Sequence, residues 1–266
     1  MDRSKKLILL VAIIGVLISS VMIIRIIMEY RNASSEYEAL QEFIKEVPIN
    51  EDEIDKAAGP EPKDNLRRNY NRNDFPSYEV DYSELKKINE DYSGWLYIDS
   101  VDISYPFVQG VDNEYYLHKT FEKEDNFAGC VFMDYELNRD FSSYNTFIYG
   151  HAMKNGTMFG HLKQYRLDSE KWENDPYIYL YLEKGIYRYK IYSYYLDKPD
   201  SKMYYACDNK EGYEKYIEDA LGKSMIDCGM DIDSNDNSIT LVTCAGTGAD
   251  KKRFFVHAIF VDRYLY

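Results

Sequence analysis

The sequence is short of the residues that usually announce a mechanism. Its 266 residues hold only four histidines and four cysteines. The cysteines stand at 130, 207, 228 and 244. None forms a CxxC pair, and the spacings do not fit a small disulfide scaffold. There is no HExxH, and His151 and His161 lie ten positions apart, so neither metal nor cofactor is expected. Positive charge is also in deficit. Lys and Arg total 32 against 46 Asp and Glu, a net charge of −14. That argues against nucleic acid as a partner, because phosphate binding needs clustered cations. Internal repeats and low-complexity tracts are absent too.

One long apolar run is present. Leu7–Ile27 reads LILLVAIIGVLISSVMIIRII. At ~1.5 Å per residue it spans about 30 Å, the thickness of a bilayer's hydrocarbon core. Arg25 can snorkel to the interface. Arg3, Lys5 and Lys6 precede the run and Glu29, Glu36 and Glu38 follow it, so the N-terminus is expected inside and the rest outside. The run is long for a cleaved signal, and no small-x-small site closes it. The expected layout is a cytoplasmic tail at 1–6, a transmembrane anchor at 7–28, an extracellular helix and linker at 29–80, and a folded domain at 81–266. Within the linker region, Tyr37, Leu40, Ile44 and Val47 share one face of a helix expected over 34–47. Pro48 ends it, and the charged stretch 51–72 reads as linker.

Tyrosine is abundant, 28 against 2 Trp, which suits half-buried pleated surfaces. A short helix is expected around Leu85 and Ile88. Strands are expected at 95–98, 103–108, 127–134, 145–149, 177–182, 186–195, 239–244 and 253–262, with a three-residue turn at 183–185. A helix over 212–225 places Tyr213, Tyr216, Ile217, Ala220 and Leu221 on one side. Many short strands with few helices point to a mainly β fold, a barrel or a sandwich.

Among the histidines, His257 sits inside a strand, His161 in a helical turn and His118 in an unremarkable surface context. His151 differs. It follows the apolar run NTFIYG and opens a glycine-punctuated loop, where functional side chains are commonly placed. Cys244 also closes a strand, before the small-residue loop Ala-Gly-Thr-Gly. Cys130 fits a buried small hydrophobe. Cys207 and Cys228 flank the helix expected at 212–225, and their pairing stays open. A reactive thiol needs a nearby positive charge to lower its pKa from ~8.5, and its leaving group needs a proton donor. His151 could do both, and Arg253 could stabilise an oxyanion. Arg253 could equally be a solvated charge beside Lys251 and Lys252.

TLVTC (240–244), with an arginine nine residues later on the next strand, resembles the sortase signature. NTFIYGHAMKNGTMFGHLKQY, GWLYIDSVDISYPFVQGVDNEYYL and GCVFMDYELN resemble class B sortases in particular, in family order over about residues 81–266. The resemblance implies a closed β-barrel of about eight strands with a few peripheral helices. It implies a cysteine transpeptidase at a Gram-positive cell surface, with Cys244 as nucleophile and His151 and Arg253 as its catalytic partners. Asn113, Leu117, Val242 and Thr243 would line the sorting-signal groove. Val242 stands where the family often has serine, which removes a hydroxyl from that wall. The implied partners are secreted proteins bearing a C-terminal sorting signal of the Asn/Ser/Pro-Pro-x-Thr-x type, and an amine of peptidoglycan. Pilin polymerisation, the class C task, is the alternative. Asp74-Phe75-Pro76 has the wrong order for the class C lid motif, Asp175-Pro176-Tyr177 lies inside the domain, and the chain stops at Tyr266 after a strand. A catalytically idle surface-binding barrel is a third reading, against which the intact motif residues weigh.

Overall fold

The computed structural model describes residues 3–47, 67–69, 71–245 and 251–266. Helix α1, Arg3–Leu40, contains the apolar run, and residues 4–28 are exposed all round. Among the described residues it is the one helix long and apolar enough to cross a membrane. Its last turns behave differently. Ala33, Tyr37 and Leu40, spaced at four and three residues, are buried against the rest of the protein. The separate helix expected over 34–47 is therefore the end of α1. Ile44 and Val47 do not extend its face: Ile44–Glu46 is a strand, β1, paired antiparallel with β2, Tyr78–Val80. Most of the expected linker, 48–66, lies outside the described residues.

Helix α2, Tyr82–Ile88, starts where Asp81 accepts the Glu84 amide as N-cap. Eight strands then close a barrel: β3 Tyr92–Ile98, β4 Ile103–Val108, β5 Val131–Met133, β6 Asn145–Gly150, β7 Tyr177–Leu182, β8 Gly185–Asp197, β9 Ser238–Ala245 and β10 Lys252–Leu265. The order around the barrel is β10-β8-β7-β3-β4-β5-β6-β9. The mainly β, closed-barrel expectation holds. Only the β4–β5 and β6–β9 contacts are parallel. Six of the eight expected strands change bounds, and two of the changes have a plain local cause. The run at 127–134 shortens to β5, because Gly129 turns at φ 60°, where a Cβ would stand 2.6 Å from the Tyr116 carbonyl oxygen. The β7–β8 turn has two residues rather than three: Leu182 pairs with Gly185, whose missing Cβ lets the Tyr264 carbonyl pass.

Trp95, Tyr189, Tyr192 and Phe255 are fully buried, so the tyrosines serve as core. Two short helices, α3 Gln164–Leu167 and α4 Glu170–Asn174, lead into β7. Helix α5, Lys210–Lys223, is capped by Asn209 and buries Tyr213, Tyr216, Ile217 and Ala220. Leu221 leaves that expected face and is 37% exposed. Cys130, Cys207 and Cys228 are all free thiols, so the Cys207–Cys228 pairing is not made.

Candidate active site

Strand register builds the site. On one side of β9, Arg253 of β10 pairs with Cys244 in antiparallel register. On the other side, β6 runs parallel to β9, and its last pair is Gly150 with Thr243. The next position along each chain is His151 and Cys244. Residues about a hundred apart in sequence thus stand in one row, in the order His151, Cys244, Arg253. The Cys244 side chain and the loop residues 246–250 lie outside the described residues.

A cavity of 280 Å³ opens beside this row. Asn113, Leu117, His151, Val242, Thr243 and Arg253 all line it. Sequence reasoning missed Phe132, Tyr149, Gly150, Pro199 and Tyr204, which complete its wall. Tyr149 carried a usable signal: it is two residues before His151, on the strand that delivers it. Pro199 and Tyr204 come from the β8–α5 connection, and nothing local marks them.

His151 is half-buried, and its Nε2 lies 2.9 Å from the Leu117 carbonyl oxygen. A carbonyl can only accept, so Nε2 carries the proton and Nδ1 is the basic nitrogen of the neutral ring. Burial holds the imidazole below its ordinary range, and the neighbouring His118 and Arg253 push the same way. The Phe159 ring packs where a Cβ on Gly150 would stand, at 2.8 Å, and the Phe159 amide donates to the His151 carbonyl at 2.9 Å. The backbone around His151 is therefore clamped.

Arg253 is half-buried, and its neighbour Lys252 is exposed. Asp197, opposite Arg253 on β8, accepts instead from Ser201 Oγ at 2.7 Å, Lys223 Nζ at 3.0 Å and the Lys198 amide at 2.8 Å. Among the described residues the Arg253 guanidinium has no ion-pair partner, and its one hydrogen bond is a long 3.5 Å contact to the Lys252 carbonyl. Its charge is left for the cavity. On the opposite wall, Asp134 Oδ2 accepts from Asn113 Nδ2 and from the Tyr149 hydroxyl, each at 2.9 Å. Among the described residues the buried Thr243 hydroxyl has no partner.

The remaining histidines stand apart from the cavity. His257 is fully buried between Tyr195, Tyr216 and Thr240 hydroxyls at 3.0–3.2 Å. His161 contacts the Asp102 carbonyl at 3.2 Å, and His118 is exposed. Among the described residues no group of three or more His, Cys, Asp or Glu could hold a metal.

The Sortase domain family matches residues 96–261. Sortase B of Listeria monocytogenes is 34% identical over 164 residues, 60% of this chain and 65% of the Listeria protein, so the match spans just under two thirds of that relative. Sortase B of Staphylococcus aureus is 30% identical, over 61% of this chain and 67% of its own length. The crystal structure of Clostridium perfringens sortase B superposes with a TM-score of 0.63 at 36% identity, covering 67% of this chain and 98% of that one.

Proposed function

The chain belongs to the sortase family, in its class B form, and on that premise we propose that it is a membrane-anchored cysteine transpeptidase. Residues 7–28 cross the membrane with 1–6 inside, and the catalytic domain, 81–266, works outside the cell. Its substrates are secreted proteins carrying a C-terminal sorting motif, which it joins to an amine of peptidoglycan.

The sorting peptide lies extended in the cavity, against Asn113, Leu117, Val242 and Thr243. Cys244 passes its thiol proton to His151 Nδ1 and, as a thiolate, attacks the carbonyl carbon of the motif threonine. Arg253, with no carboxylate partner among the described residues, stabilises the oxyanion. The C–N bond breaks, and the departing amine takes a proton from His151 Nδ1. A thioester joins the threonine to Cys244. The acceptor amine attacks that thioester and gives its proton to His151, and the thiolate leaves. The Leu117 carbonyl keeps Nε2–H occupied throughout, so one nitrogen handles both transfers.

The observation that carries this reading is the row His151, Cys244, Arg253 on three adjacent strands, opening into one cavity. The test is to incubate the protein with a library of fluorogenic sorting peptides and weigh the enzyme by mass spectrometry. An adduct on Cys244 equal to the peptide up to its threonine supports the reading. Cleavage without such an adduct, or no cleavage of any peptide, overturns it.

A further inference from the structure

His151 leads into a segment that folds straight back on itself. Ala152 bridges Met158, and the Phe159 amide returns to the His151 carbonyl. The return is strained. Met158 holds φ 55° and ψ −130°, a conformation costly for any residue with a side chain. Such strain persists only where the surroundings enforce it. Yet the segment is poorly supported from below. A cavity of 380 Å³ separates Asn155–Met158 from the end of α1, with Ala33, Tyr37 and Gln41 on its far wall.

One polar strut comes up beside that gap. The Tyr105 hydroxyl of β4 accepts the Met158 amide at 3.0 Å. The Tyr105 ring is backed edge-on by Tyr37 of α1, centroids 5.5 Å apart. Tyr37 is buried, and its own hydroxyl donates to the Gly129 carbonyl at 2.7 Å. A continuous chain of contacts therefore runs from the helix that carries the apolar run, through two tyrosines, to the strained turn that pins His151.

We propose that Tyr105 is a positioning residue for His151, and that the docked end of α1 acts as its backstop. The inference rests on reading His151 as the catalytic histidine. Without the Tyr105 hydroxyl, the Met158 amide loses its acceptor and the turn relaxes. The Phe159–His151 pair then loosens and water reaches the imidazole. The charged or titratable neighbours of His151 are His118 after the 115–117 turn, Arg253 on β10 and Cys244 on β9. Tyr105 touches none of them in the described contacts, so the change reads out through desolvation alone.

The test uses the full chain in detergent micelles with 13C-labelled histidine. Four histidines make assignment simple, by His→Gln changes one at a time. In Tyr105→Phe, the ring stays and the hydroxyl goes. The His151 titration midpoint should rise toward ~6.5 and that of His257 should stay in place. Turnover of a sorting peptide should fall about tenfold, the effect of losing roughly one hydrogen bond, with KM nearly unchanged. Tyr37→Leu leaves Tyr105 intact and should shift His151 the same way by less, which keeps the test alive if Tyr105→Phe does not fold. An unmoved His151 midpoint in folded variants overturns the proposal, whatever turnover does. A shifted midpoint in a protein whose wild type cleaves no peptide upholds the positioning and sinks the transpeptidase reading.

Discussion

Replacing Arg253 by lysine keeps one positive charge at the same strand position and removes the planar fork of donors. The structure lets the two contributions be separated. Asp197, the carboxylate opposite Arg253, is already committed to Lys223, Ser201 and the Lys198 amide. Neither arginine nor lysine at 253 would therefore be neutralised by it, and the electrostatic field in the cavity is nearly preserved. What is lost is a directed hydrogen bond to a charged oxygen, about 1.5–3 kcal/mol. That converts to a fall of about 10- to 150-fold in kcat/KM, approaching the ~10²–10³ typical of removing an oxyanion donor. Lys252→Ala is the matched control. Lys252 is exposed, and as the next residue on the strand it faces the other way from Arg253. It should stay within about twofold of wild type, the ordinary range for a surface change of ±0.5 kcal/mol. The assay is turnover of one sorting peptide by the three proteins, with folding checked by circular dichroism. Arg253→Lys at wild-type rate would refute the directed role and leave only a general positive field. Damage confined to Lys252→Ala would mean that the strand register is displaced by one residue.

Cys244→Ala should abolish peptide cleavage with the melting temperature held, whereas Cys130→Ala should stay active, since burial pushes the Cys130 thiol far above its ordinary range and removes it from nucleophilic chemistry; cleavage surviving in Cys244→Ala would dismiss that residue as nucleophile. His151→Ala should cost about 10²–10⁴ in turnover, with His118→Ala and His161→Ala far milder, and a larger loss at His161 would move the proton carrier to the neighbouring turn. His257 supplies a stability test. Burial lowers its pKa to about 3, so below pH 6.5 the unfolded chain binds a proton that the folded chain refuses. Its contribution is intact above 6.5 and erodes by about 1.4 kcal/mol per pH unit as pH falls toward 3. Denaturant unfolding at pH 7, 5.5 and 4.5 should show a shallower acid loss in His257→Gln than in wild type, and parallel curves would contradict the buried neutral imidazole.

Part of the candidate site was legible because its members sit where strands end, and the sortase resemblance supplied the pairing that spacing alone left open. Cys244 closes an apolar run, His151 opens a glycine-punctuated loop and Arg253 enters the next strand, all local patterns. Strands 103–108 and 177–182 were readable to the residue, since alternation and turn residues bound them on both sides. The pocket wall was less accessible. Pro199 and Tyr204 reach it from a long connection, and only barrel closure brings them near Tyr149. The end of α1 misled for a related reason. Tyr37 and Leu40 follow helical spacing, and Ile44 continues it in sequence, but pairing with Val80 makes Ile44 a strand residue. A three-residue strand is decided by its partner, and the partner lies across a long connection. Likewise Leu221 fits the apolar side of α5 by periodicity, yet the residues that helix buries are Tyr213, Tyr216, Ile217 and Ala220.

The docking of α1 has a mechanical meaning. Side-chain contact with the barrel begins almost where the apolar run stops: Asn126 donates to the Glu29 carbonyl at 2.9 Å, and Tyr30 meets Phe127 edge-on at 4.7 Å. With residues 7–28 in a bilayer, no slack cord separates the anchor from the enzyme. The domain then behaves like a lamp bracketed to a wall rather than a float on a line. Height and tilt of the cavity above the lipid become fixed dimensions of the molecule. On the proposed transpeptidase function, a passenger would have to present its scissile threonine within that narrow layer, and one released into the medium would pass out of reach.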